Sequence, residues 1–342
     1  MINDRTVPLR GRLGTRRIDK RLRNGDVNMA AIPVLDGNYD ILDARVRSIG
    51  GAAPKDFIEF IGSSEAYIAK GAAKHGPREC ATEFLIAEIG RILPLKVARG
   101  RLVVIEDAPS PQPDVRFMSR YFLRDAEESL THGIELAARY FGMHESDIRR
   151  EVKREWEFYT VDIVDNLLED VSAGAKGILS ALRDGFARMM AFDALIGAND
   201  RHPKNWGIVE NARKQTPPRF SPIFDTARGL FWNHSDAALA ASDAAGTRQK
   251  TVESYADRST PLIGIRSKTQ PNHFDVFAHM VSDPKYGPAM RDVVAAFTPQ
   301  KGELLLHRGF KNLFSRRRLE YIAELLRYRH GRLINILKTE GR

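Results

Sequence analysis

The chain has almost no cysteine: Cys80 stands alone in 342 residues. One thiol closes no internal disulfide, and no Cys or His pairs fall at zinc spacing, so a disulfide scaffold and a zinc module are both excluded. A reducing cytoplasm is the expected setting. Long apolar runs are missing too. No stretch approaches the ~20 residues that cross a bilayer, so no membrane partner is expected. Residues 1–28 lack the apolar segment of a secretory signal and read as a basic arm or docking strand. Acidic residues are outnumbered, 44 against 53 basic ones, and the net charge of +9 favours an acidic partner.

Against these absences stands one dense run, Ala198-Asn199-Asp200-Arg201-His202-Pro203-Lys204-Asn205, followed by Phe224-Asp225-Thr226. Phosphoryl transfer needs a carboxylate to take or orient a hydroxyl, and further oxygen ligands to hold Mg²⁺ against the phosphates of ATP. Asp200 fits the first role, and Asn205 and Asp225 the second. Asn205 lies five positions after Asp200, which is the kinase spacing. The context agrees. Phe186, Met189, Met190, Asp193 and Ile196 recur at helical intervals, so a helix ends near Gly197 and delivers Asp200 to a loop. Trp206 to Val209 and Phe220 to Phe224 read as the strands of a hairpin that ends at Asp225. His202 and Lys204 are placed to steady the loop or the transferred phosphate.

A second cluster lies upstream. Ser48-Ile49-Gly50-Gly51-Ala52-Ala53-Pro54-Lys55 reads as a loop whose glycines let backbone N–H groups approach phosphate oxygens, with Lys55 adding a positive charge. Taken alone, a Gly-Gly pair is equally an ordinary turn. Tyr67 to Lys70 is a strand-like run ending on a lysine, where a kinase keeps the Lys that meets the nucleotide phosphates. Lys74 competes but sits in a turn. Glu79 and Glu83, four apart on one helical face, are the candidates to pair with Lys70. Leu102 to Ile105 and Val115 to Met118 read as further strands. Ser119-Arg120-Tyr121-Phe122 then fits a hinge, with Ser119 and Tyr121 near the adenine.

The fold class expected is α+β: a bilobal, protein-kinase-like fold with a small β-rich N-lobe over 29–123 and a larger, mainly helical C-lobe over 124–342, after the 1–28 arm. Trp232 to Gln249, rich in Ala, Ser and Asp with little apolar periodicity, reads as a flexible activation-like segment. Asp162, Asp165 and Asn166 read as a solvated face. Arg316 to Arg318, Arg327, Arg329 and Arg332 lie on a helix whose apolar face is Leu319, Ile322 and Leu326. They form either its solvated side or a nucleic-acid surface.

The Asn-Asp-Arg-His loop, the single Asp225 without a following Phe-Gly, and the Ser48/Gly51 loop together resemble the HipA-like serine/threonine kinases. Phosphatidylinositol kinases share the Asp-Arg-His-x-x-Asn core. The ordinary protein-kinase signature does not fit, because no His-Arg precedes Asp200 and Thr226-Ala227 follows Asp225. The resemblance implies ATP and Mg²⁺ as cofactors, Lys70 as the phosphate-binding lysine, and Glu79 as its partner when the family pattern is registered on Ala87-Glu88-Ile89-Gly90. It also implies a self-phosphorylation site at Ser48 and a protein substrate, such as an aminoacyl-tRNA synthetase or another translation factor. A helix-turn-helix antitoxin, and indirect contact with nucleic acid through it, belong to the same expectation. A kinase of small molecules or lipids, and a non-catalytic basic module on a degenerate scaffold, remain the alternatives.

Overall fold

Alternating apolar residues in the first third of the chain build a sheet. In the computed structural model, which describes residues 26–43, 55–63, 65–72, 74–105, 114–124, 127–148, 159–213, 215–266, 268 and 270–340, five antiparallel strands lie in the order β1-β2-β3-β5-β4. They are β1 (Tyr39–Asp43), β2 (Lys55–Phe60), β3 (Ala66–Lys70), β4 (Gly100–Ile105) and β5 (Asp114–Arg120). One face carries Ile58, Ala69, Val103, Ile105 and Met118 as a small apolar cluster. The other face is covered by α1 (Pro77–Arg91), whose Ala81, Leu85, Ile86 and Ile89 are fully buried. Gly90 lets the chain turn back closely from α1 toward β4: a Cβ there would stand 2.4 Å from Val97 Cγ1.

The remainder is mostly helical. A three-stranded sheet of β6 (Glu128–His132), β7 (Gly207–Asn211) and β8 (Arg219–Phe220) lies among α2 (Gly133–Phe141), α3 (Val161–Ser172) and α4 (Lys176–Ile196). Then follow α5 (Asp236–Ala244), α6 (Arg248–Arg258), α7 (His273–Val281), α8 (Gly287–Ala296), α9 (Pro299–Leu305) and α10 (Arg316–Glu340). Helix α4 is the axis of this part. Phe186, Met189, Phe192, Leu195 and Ile196 are buried all around its last turns, against α3, α7, α8 and α10. A helix apolar on every side is an interior helix, and its end is therefore a fixed point. Among the described residues no helix is long and apolar enough to cross a membrane.

Several expectations need correction. The strand read over Phe220 to Phe224 stops at Phe220, because Pro222 has no N–H to give to a ladder. Ile223 turns instead to the loop after α1, where its N–H donates to Lys96 O and its carbonyl accepts from Ala98 N, each at 2.8 Å. The segment read as flexible, Trp232 to Gln249, carries α5 and the start of α6. Its pattern is faint because Leu239 is the one buried side chain of α5. Alanine propensity and the Ser235 Oγ cap on Ala238 N hold the helix instead.

Asp165 is no solvated residue. Arg183, Lys285 and the Tyr286 hydroxyl all donate to it. The arginines of α10 likewise divide: Arg316 and Arg327 are exposed, whereas Arg318 and Arg329 are fully buried and act as internal ties. Residues 1–25 of the basic arm lie outside the described residues. Its last residues dock on the helical part, where Asn28 N donates to Leu313 O.

Candidate active site

Helix α4 ends because Gly197 adopts a left-handed backbone (φ +70), and the chain turns into the loop that carries Asp200. Arg329 of α10 waits at that end: its Nε donates to Ala194 O at 2.7 Å and its Nη1 to Ala256 O at the end of α6. A cation placed on two helix C-termini is stabilised by both dipoles, although burial lowers its pKa to about 9. His273 Nε2 bonds Ala198 O at 2.9 Å, and Asn199 Oδ1 accepts from Thr260 N at 3.0 Å.

Inside the loop the organiser is Arg201. Its guanidinium forks onto the carboxylate of Asp193, one helical turn before the helix end, at 2.7 and 3.0 Å. Its Nη1 then donates to Asn205 O at 2.6 Å and Phe224 O at 2.9 Å. One buried side chain thus ties Asn205, and Phe224 just before Asp225, to the end of the helix. Neither Asp193 nor Arg201 was expected in this role. The available signal is a carboxylate recurring in phase with apolar positions, which requires a buried cationic partner.

The opposite wall is set by strand register. Lys55 and Lys70 face one another across β2 and β3, an arrangement that repels unless an anion lies between the two. The anion is Asp225: Lys70 Nζ bonds its Oδ1, and Lys55 Nζ lies 3.6 Å from its Oδ2. Glu83 Oε2 is 3.0 Å from Lys70 Nζ, and Glu83 Oε1 accepts from Thr226 N at 3.3 Å. The expected pairing with Glu79 is therefore overturned. Pro77 starts the helix, which leaves Glu79 in its first turn, where Oε1 accepts from the backbone N–H groups of Lys74 and His75 at 2.8 and 2.6 Å. Glu79 caps α1; Glu83, one turn on, reaches the lysine. Lys74 lies in that capped turn and not at the strand end.

Electrostatics separate the carboxyls. Burial opposes charge on Asp225, yet Lys70 and Lys55 hold its carboxyl far below the usual range. Burial pushes Glu83 up. Burial also opposes the charge of Lys70, but Asp225 and Glu83 outweigh it and the ammonium persists well above the ordinary lysine range. Asp200 is raised to about 6, by burial first, with Arg228 pulling it down and Asp225 pushing it up. Its Oδ1 accepts from Arg228 Nη1 at 3.0 Å. His202 is lowered to about 4 by burial, so its ring is neutral near pH 7, and its Nδ1 accepts from Lys204 N at 3.2 Å. Lys204 Nζ turns to Glu145 at 3.3 Å. Both residues brace the loop.

The donor set fits a hard divalent cation. Asp225 is an ionised carboxylate, set in a left-handed backbone conformation (φ +55) that Asp tolerates better than most residues. Asn205 Nδ2 donates to Asp200 O at 2.7 Å, which commits the amide nitrogen to the loop and leaves the oxygen end for a cation. Among the described residues no cluster of three or more His, Cys, Asp or Glu could hold a metal unaided. Mg²⁺ does not require one, since it keeps several waters and shares one or two protein oxygens with phosphate.

Ser48, Gly50 and Gly51 lie outside the described residues. Ser119 is a β5 residue paired with Ile68 and Gly100, so the hinge begins later than expected. Tyr121 N donates to Ala66 O at 2.8 Å, and the Tyr121 ring packs edge-on against Phe57. Phe122 and Phe224, with ring centroids 5.8 Å apart, form an apolar contact between hinge and loop.

A family model described as HipA-like C-terminal domain matches residues 47–297. Among solved structures, the Helicobacter pylori proinflammatory kinase CtkA superposes with a TM-score of 0.67 at 17% identity, over 90% of this chain and 98% of that one. At that identity the likeness speaks for the fold. No curated protein matches the chain.

Proposed function

The chain belongs to the family of HipA-like C-terminal domains, and from that premise we propose that it is a kinase transferring the γ-phosphoryl group of ATP to a serine or threonine hydroxyl of a protein. The observation that carries the reading is the convergence of Lys55 and Lys70 on Asp225, with the Asp200 carboxyl within its electrostatic reach and Asn205 bonded to the Asp200 carbonyl. Two cations facing each other across strands make an anion site, and the anion of the proposed reaction is the nucleotide triphosphate.

In the transfer, the acceptor oxygen forms a bond to the γ-phosphorus while the bond from that phosphorus to the β,γ-bridging oxygen breaks. ADP leaves with the electron pair, and the hydroxyl proton passes to the Asp200 carboxylate. Asp200 orients the hydroxyl and takes its proton. Lys70 meets the phosphates, and Glu83 keeps its ammonium aimed. Asn205 and Asp225 would hold Mg²⁺, which supplies charge neutralisation on the phosphates. Arg201 and Asp193 keep the loop in register, so the reacting groups are placed before substrate arrives. His202 and Lys204 brace that loop.

Self-phosphorylation at Ser48 is part of the proposal. So are a translation-factor substrate such as an aminoacyl-tRNA synthetase and a helix-turn-helix antitoxin as partner; all three come from family resemblance. The test is incubation with Mg-ATP followed by mass spectrometry of wild type and Asp200→Asn. Phosphate on protein hydroxyls in wild type alone supports the reading. Label that appears on an added lipid or metabolite and on no protein would move the substrate class.

A further inference from the structure

The cation beside Asp200 comes from an unexpected part of the chain. Conventional kinase loops carry a basic residue two positions after the catalytic Asp, where this chain has His202. Here the His202 ring spends Nδ1 on Lys204 N, and its Nε2 stays 4.0 Å from Asp200 Oδ1. Lys204 is drawn to Glu145, Arg201 is sealed against Asp193, and Lys55 and Lys70 are on Asp225. Among the described residues, Arg228 is the cation in hydrogen-bond contact with the Asp200 carboxylate, at 3.0 Å.

The segment that presents Arg228 is built at a cost. Leu230 and Phe231, both fully buried, hold consecutive left-handed conformations (φ +50 and φ +61), which L-residues adopt rarely and retain only when their surroundings enforce it. Leu230 N donates to Ile196 O at 3.3 Å, and Arg228 O accepts from Asn199 N at 2.8 Å. Gly229 lets this segment press on the end of α4, where a Cβ would stand 3.1 Å from Ile196 O. The guanidinium itself lies over the Trp232 ring, 5.3 Å from its centroid, and 37% of the side chain is exposed. A strained backbone, a ring beneath the guanidinium and an acceptor at its tip all fix one orientation.

We propose that Arg228 is a catalytic residue of the transfer, a cation supplied from the segment after Asp225 that meets the charge developing on the transferred phosphoryl group. This rests on the kinase reading above. Nη1 is the atom on Asp200, and a guanidinium carries five donors, so it can hold the carboxylate and a phosphoryl oxygen together. A group acting at the transition state changes kcat and leaves nucleotide binding alone.

The experiment measures ADP release from Mg-ATP, with kcat and KM separated, and thermal melting, for wild type, Arg228→Ala, Arg228→Lys and Asp200→Asn. Arg228→Ala is expected to lower kcat roughly 10²-fold, with the KM for ATP within about threefold, as for loss of one charged transition-state donor. Arg228→Lys is expected to regain about tenfold of that loss at the same melting temperature, a rescue that a purely structural role would not give. A kcat for Arg228→Ala within about threefold of wild type would overturn the assignment, and so would a loss confined to KM or a loss that lysine leaves unchanged. Wild type no faster than Asp200→Asn would overturn the kinase reading itself, which is a separate result.

Discussion

The two walls of the cleft are held by different means. On the loop wall, a fully buried guanidinium ties a helix end, the loop and the segment before Asp225 through a fork onto Asp193 and two backbone carbonyls. On the sheet wall, Lys70 and Lys55 meet Asp225 through side-chain ion pairs, with 13% and 14% of each exposed. Backbone ties buried from water leave the loop one geometry. Side-chain ion pairs can exchange partners, and triphosphate oxygens offer the same lysines the same chemistry as Asp225. In the proposed reaction the rigid wall carries the base, and the exchangeable wall receives the nucleotide.

The largest effect expected is on the rigid wall. Asp193→Asn leaves Arg201 charged and unpaired in the interior, a loss of about 3–5 kcal/mol. Melting temperature and turnover should fall together, and a variant that melts like wild type would break the contrast between the walls. Lys70→Ala should act differently. Nucleotide affinity, measured by titration with a non-hydrolysable ATP analogue and Mg²⁺, should weaken on the order of 10-fold or more. Its melting temperature should fall less than that of Asp193→Asn, because Glu83 can take up a proton when the lysine is gone.

Two carboxylates of α1, one turn apart, are expected to differ. Glu83→Gln should reduce ATP affinity, because it frees Lys70 on one side. Glu79→Gln should cost about 1 kcal/mol of stability as a weakened helix cap, with ATP affinity within about twofold. Reversed outcomes would restore the sequence-based pairing. The smallest effect is in pH. In the proposed transfer Asp200 works as the carboxylate, and burial raises it to about 6, so kcat should be at its plateau above that value and decline as pH falls through it. A kcat flat from pH 8 to 5 would remove Asp200 as the group that takes the proton.

The loop was legible in sequence because its chemistry is local: Asp200 and Asn205 are held five apart by one turn, and a helix of interior character announces where the turn begins. Asp225 was legible from the hairpin, although Pro222 cuts that hairpin short and sends Ile223 to another partner. The Lys55 position was read as an added charge near a glycine loop. Its true place depends on the register of β2 against β3, which no local pattern states. Glu79 was read as the partner by registering the family pattern on Ala87-Glu88-Ile89-Gly90, but the start at Pro77 leaves Glu79 in the first turn, where it is spent on capping, and gives Lys70 to Glu83. Arg228 and Arg329 were invisible for a different reason. Each acts across long sequence separations, on Asp200 and on the end of α4, and basic residues in isolation read as surface. Long-range ties to helix ends leave no periodic trace.

The central claim is that Asp200 stands in a working phosphotransfer site, and the most direct measurement is the rate of ADP release from Mg-ATP by wild type and by Asp200→Asn, at pH 7.5 and with nucleotide saturating for both. Turnover is expected in wild type, with a fall of at least about 10²-fold in the variant. Equal rates in the two proteins would contradict it.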